Sequence, residues 1–201
     1  MLAPELPLPS ALLADVLWSR RDEPCFDHCR VMKMVDFYAI QGSVLTIVEG
    51  NPYQVQYLVQ CDLDWTTRAA FVRSTHGSVS RHLEIQRDDA GTWSRDGVRI
   101  PQLDGLVDVD LQITPATNTL PMRRLQLEVG GEASADAAWV LFPDLTLERL
   151  PQRYTRTAER SYAYESHGGS FRARIDVDDE AVVVRYGDMW ERIAPVGEWQ
   201  P

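Results

Sequence analysis

The chain lacks a surplus of positive charge, a long apolar run, a paired set of cysteines and the short motifs that mark common catalytic sites. Its 201 residues carry 20 Lys and Arg against 30 Asp and Glu, a formal charge of −10. That balance repels phosphate backbones and anionic membrane surfaces at long range, so nucleic acid is not an expected partner. The opening stretch MLAPELPLPSALLADVLW has no basic region and carries Glu5 and three prolines. Its apolar run is too short for a signal peptide or a membrane span, which predicts a cytoplasmic protein that does not cross the bilayer. Three cysteines, Cys25, Cys29 and Cys61, are an odd number, which suits buried free thiols in a reducing compartment.

The missing motifs narrow the chemistry. There is no G-x-x-x-x-G-K-[ST] phosphate loop, no dinucleotide G-x-G-x-x-G and no H-E-x-x-H pair. His167-Gly168-Gly169-Ser170 is similar to the oxyanion loop of lipases, but the G-x-S-x-G nucleophile elbow is absent, so the string reads as a turn. Cys25, His28, Cys29 and Cys61 are residue types that hold zinc, yet the Cys-x3-Cys spacing lacks a second pair to complete it. No metal and no cofactor are expected. His76 and His82 read as ordinary surface or edge residues.

What the chain has is strand pattern. VLTIV (44–48), YQVQYLV (53–59), RAAFV (68–72), HLEI (82–85), LQLEV (125–129), AAWVLF (137–142), FRARIDV (171–177) and AVVVRY (181–186) are short, rich in β-formers and mostly alternating. Turn residues separate them, among them Glu49-Gly50-Asn51-Pro52, Asp96-Gly97, Gly130-Gly131 and Asp178-Asp179. This predicts an all-β, mainly antiparallel protein. Ser10 to Arg20, with Leu12, Leu13, Val16 and Leu17 at helical spacing behind a Ser cap, predicts a short N-terminal helix. HGSVSRHLEI (76–85) overlays HGGSFRARIDV (167–177), and QYLVQCDLDW (56–65) overlays DAAWVLFPDLTL (136–147), which raises an internal duplication beside a chance match of strand patterns. The expected layout is an extension over 1–17, one domain over 18–192 and a tail over 193–201. The domain's halves, about 25–111 and 125–192, are joined by 112–124.

The joining segment follows VDVDL, where Asp108 and Asp110 share one strand face and Val107, Val109 and Leu111 the other. Thr114-Pro115 ends that strand. Thr117, Asn118 and Thr119 are cap formers and Pro121 is tolerated in a first turn, so a helix over Thr117 to Leu125 competes with a loop leading straight into a strand at Leu125.

LDGLVDVDLQITPATNTLPMRRLQL, QYLVQCDLDWTTR (56–68), AWVLFPDL (138–145), QRYTR (152–156) and RYGDMW (185–190) together resemble a bacterial family labelled putative glycolipid-binding. The resemblance runs from about Trp18 to Arg192, and TPATNTLP-x-RR is its most specific string. It implies a spiral β-roll, a many-stranded antiparallel sheet wrapped around one short central helix, and a role in binding glycolipid or another amphiphile. The chain departs from the family at Cys25-Phe26-Asp27-His28, where a glycine, an acid and a histidine are usual. It departs again at Asp179-Glu180, where a glycine-led turn is usual.

Candidate ligand-binding residues follow from this. Arg123 or Arg124 offers a donor fork to a headgroup, or pairs with Asp108 or Asp110 to tie the centre to the sheet. Asn118 stands beside them as cap or contact. Tyr57, Trp65 and Tyr154 could line a cavity or fill the core, and Gln152, Tyr154 and Arg156 alternate on one strand face. Asp62, near Trp65, suits sugar contact. Two other function classes stay open: a hydrolase of glycosides or esters using Asp62, Asp108 or Asp110, and an interaction protein with a solid core, for which a homodimer is an option.

Overall fold

The computed structural model describes residues 6–195, so residues 1–5 and most of the expected tail lie outside the described residues. Strands β1 (Ala11–Arg20), β2 (Cys25–Lys33), β3 (Tyr38–Val48), β4 (Asn51–Cys61), β5 (Thr67–His76), β6 (Val79–Arg87), β7 (Trp93–Arg95) and β8 (Val98–Arg99) form a continuous antiparallel meander. The chain then dives inward through β9 (Asp108–Leu111), a 3-10 turn at Ala116–Asn118 and helix α1 (Thr119–Leu125). It returns through β10 (Glu132–Ser134), β11 (Ala137–Leu141), β12 (Thr146–Leu150), β13 (Gln152–Ala158), β14 (Ser161–Ser166), β15 (Phe171–Val177), β16 (Val183–Tyr186) and β17 (Trp190–Ala194).

Pairing of β17 with β1 fuses the two runs into one 14-stranded antiparallel sheet, which stays open. β12, β11 and β9 make a second sheet of three strands, in which β9 and β11 run parallel. Every residue from Ile113 to Met122 is buried, so the short helix sits inside the roll. Leu120 of the helix shares one core with Trp18, Ile40, Val59, Ile85, Trp93 and Leu111, all at most 1% exposed. The two buried indoles also satisfy their polar edges: Trp18 Nε1 donates to Val183 O at 2.7 Å and Trp93 Nε1 to Leu106 O at 3.0 Å.

Three expectations need correcting. Ala11–Arg20 is a strand, not a helix. Its apolar pairs break strict alternation because β1 is bulged against β2 between Leu12 and Ala14, and against β17 between Leu17 and Trp18. Ladder bonds to two neighbours outweigh the marginal stability of a helix this short. LQLEV is likewise not a strand. Leu125 ends α1, and Gln126 turns the chain in the left-handed region at φ 46° and ψ 44°. The threonines and Asn118 do not cap α1 through their side chains. Instead Thr117 Oγ1 accepts from Leu111 N, Asn118 Nδ2 donates to Pro115 O, and Thr119 Oγ1 donates to Ala181 O. They fasten the segment to β9 and to the turn before β16, and brace it internally. Of the two overlays, Leu83 and Ile85 of β6 and Ile175 and Val177 of β15 are buried alike, whereas β4 and β11 lie in different sheets.

Candidate functional site

Most of the residues singled out in the sequence are drawn into the interior, and there they bind one another. The bidentate pair of Arg124 and Asp108 spans 2.5 Å from Nη2 to Oδ2 and 3.2 Å from Nε to Oδ1, with the carboxylate wholly buried. Burial raises the Asp108 pKa even though Arg124 opposes it. Two residues on, Asp110 Oδ2 accepts from Gln152 Nε2 at 2.6 Å, and the Tyr154 hydroxyl donates to Asn118 Oδ1 at 2.9 Å. Asp110, Asn118, Gln152 and Tyr154 therefore belong to one neighbourhood. Arg156, the third residue of that stripe, stacks over Tyr162 at 5.8 Å.

The remaining candidates go elsewhere. Arg123 lies 5.0 Å over the Trp65 ring and pairs with Glu180 at 3.1 Å, while Trp65 stacks on Tyr38 at 4.2 Å. Trp65 holds a left-handed φ of 68°, uncommon for a bulky residue. Asp62 is on the surface, paired with Arg68. Tyr57 reaches inward, where its hydroxyl donates to the carboxylate of Asp27 at 2.9 Å and Thr114 Oγ1 donates to the same Asp27 Oδ2 at 2.5 Å. Asp27 is fully buried, and burial pushes its pKa up to about 7 against the pull of those two hydroxyls. The cysteines are free and buried on this inner side, with Cys25 raised to about 11 by burial. His28 points to the opposite face of β2, which separates it from Cys25 and Cys29.

A cleft of about 400 Å³ lies on that opposite face, across strands β2 to β6. Register explains it. His28 faces Ser43, Ser43 faces Gln56, Gln56 faces Arg73 and Arg73 faces His82, giving one continuous polar row over five strands. The neighbouring row is Arg30, Gln41, Leu58, Phe71 and Glu84. Charges at the rim already have partners: His28 Nε2 meets Asp15 Oδ1 at 2.6 Å, and Arg30 Nη2 donates to Gln41 Oε1 at 2.7 Å. Gln56 and Ser43 occupy the middle and present amide and hydroxyl groups. Beneath the floor Gly42 faces Tyr57, and a Cβ on Gly42 would stand 2.3 Å from the Tyr57 ring.

The cleft has apolar ground on both sides. Phe26, Leu45 and Ile47 are 49%, 57% and 44% exposed and lie beyond the polar row. On the other side Met32, Ala39 and Leu58 form a small buried cluster with Phe37 and Phe71 packed on it. Of the sequence candidates, Tyr57 alone lines this cleft, from below. Alternation alone marks the rest of its wall as solvated strand positions. The available signal is His28, Ser43, Gln56 and His82, neutral polar types set among Arg30, Arg73 and Glu84 at the outward positions of five consecutive strands.

The roll thus belongs to a class of open all-β proteins built around a buried short helix, with an amphipathic cleft on the outer sheet face. The family described as Putative glycolipid-binding matches residues 15–192, and the chain belongs to it. A crystal structure of a DUF1089 family protein from Pseudomonas aeruginosa superposes with a TM-score of 0.75 at 28% identity, covering 96% of this chain and 99% of the other. No curated protein matches the sequence. No helix of the described residues is long and apolar enough to cross a membrane.

Proposed function

We propose that this protein binds an amphiphile with a sugar headgroup, the headgroup seated on the Ser43–Gln56 row and the hydrocarbon laid over Phe26, Leu45 and Ile47. The observation that carries this reading is the amphipathic cleft of about 400 Å³, a size suited to a small ligand. Ser43 and Gln56 offer neutral hydroxyl and amide groups, and Arg30 and Arg73 beside them are bonded to the neutral Gln41 and Ser80, a mixed donor and acceptor set that suits a polyhydroxylated ligand. The half-buried face of Phe71 supplies an apolar wall for a sugar ring. The family's description points the same way. In this reading Asp108, Asn118, Arg124, Gln152 and Tyr154 hold the roll in shape, and Tyr57 supports the cleft floor. Three free, buried thiols support a reducing compartment such as the cytoplasm.

Titration with octyl glucoside below its micelle concentration, followed by native mass spectrometry, tests the reading. One glycoside should bind per chain, and Gln56→Ala should weaken it about tenfold, the worth of roughly one well-formed hydrogen bond in a desolvated site. Equal affinity in the wild type and in a Ser43→Ala, Gln56→Ala double variant would remove the cleft from the account.

A further inference from the structure

Asp108 and Asp110 stand on the same face of β9, yet only one of them has a cation. Asp108 is gripped by Arg124, whereas Asp110 receives one amide hydrogen bond, from Gln152. Among the described residues no cation forms an ion pair with Asp110. One aromatic residue stands directly opposite it, and three more cluster nearby. Trp139 is its cross-strand partner on β11, half-buried and in edge contact with the exposed ring of His167. Tyr164, Phe171 and Tyr186 meet one another at 5.7 to 6.3 Å with interplanar angles of 68° to 83°, so their planes form the corner of a box.

These rings and the carboxylate share a neighbourhood. Gln152 faces Ser166, and Ser166 faces Phe171, across β13 to β15. The Tyr164 hydroxyl is raised by burial first and by the charge of Asp110 second. Asp110, Trp139 and Phe171 keep partial solvent access, while Tyr164 and Tyr186 are buried behind them.

We propose that Asp110, with Trp139, Tyr164, Phe171 and Tyr186, forms a second binding site, for a small organic ammonium group. The carboxylate supplies the counter-charge and the ring faces supply cation–π attraction, the combination that recognises quaternary ammonium ions. A cation held there would occupy the place that Arg124 fills for Asp108. Burial raises the Asp110 pKa to about 6, so the group is an anion at neutral pH and ready to pair. The site is separate from the outer-face cleft and stands whether or not that cleft binds a glycolipid.

Isothermal titration with tetramethylammonium chloride, against sodium chloride as the ionic-strength control, tests it. Saturable binding should appear in the wild type and fall at least tenfold in Asp110→Asn and in Phe171→Ala, with Asp62→Asn unchanged. Asp110→Asn relieves a buried charge, so its melting temperature should hold or rise, which separates lost binding from lost folding. Choline and hexylphosphocholine then distinguish the source: equal affinity assigns a free ammonium metabolite, and tighter binding of the second assigns a lipid headgroup. Absence of saturable binding in the wild type, or full affinity in Asp110→Asn, overturns the proposal, as does binding of methyl glycosides to the Asp110 site in place of ammonium.

Discussion

The two faces of strands β2 to β6 carry polar groups in the same alternation, and the groups meet different fates. On the inner face Asp27, Tyr57 and Thr114 close on one another, and no described buried side-chain polar atom lacks a partner. On the outer face His28, Ser43, Gln56, Arg73 and His82 line up along an open cleft. A polar row whose bonds are completed within the chain fixes the fold, and a polar row facing a concavity has capacity left for a ligand. The sequence pattern is the same in both cases, and only register tells them apart.

The contrast can be broken most strongly from the inside. Arg124→Ala leaves Asp108 buried without its cation and should cost about 3 to 5 kcal/mol in urea denaturation; unchanged stability would show that the pair does not hold the centre. The next effect is in pH. Asp27 and Asp110 titrate at about 7 and about 6 in the folded chain, against an ordinary value of 3.8. The folded state therefore binds more protons than the unfolded state above pH 4, and stability falls as pH rises, at roughly 1.4 kcal/mol per pH unit for each group, until each folded pKa is passed. Asp22, held low by Arg20, and Asp64, held low by the Thr66 amide, act in the opposite sense below about pH 4. Melting temperature should thus peak in mild acid and decline toward pH 7, and Asp27→Asn should flatten the decline.

Smaller changes sharpen the comparison at its boundary. Gly42→Ala drives a methyl into the Tyr57 ring and should cost about 1 to 3 kcal/mol while also shifting the cleft floor. Calorimetry that found no loss would mean that Tyr57 moves aside freely. Gln56→Ala and His82→Ala, on the outer row, should change stability by less than about 0.5 kcal/mol. Larger losses there would make the outer row structural as well.

Much of this architecture was legible in the chain. Seven of the strand stretches fall on strands, the helix over Thr117 to Leu125 is found with a 3-10 turn leading into it, and the Arg–Asp tie was readable from the acids upstream of Arg123-Arg124. Which arginine takes that tie was not readable, because it depends on where α1 points each side chain. Leu12, Leu13, Val16 and Leu17 fit a helix as well as a bulged strand, and the ladders decide between them: β2 along the strand, and β17, some 175 residues away, over Leu17–Arg20. The wall of the cleft was illegible for the same reason: His28 and His82 lie 54 residues apart and join one row only when four ladders are in register.

In the proposed function, binding belongs to the outer row and architecture to the inner network. Amide and side-chain NMR resonances followed through an octyl glucoside titration test it directly. Shifts should concentrate on Phe26, Ser43, Leu45, Gln56 and Phe71, with Thr114 to Arg124 unmoved. Shifts centred on the buried segment, with the outer row silent, would contradict it.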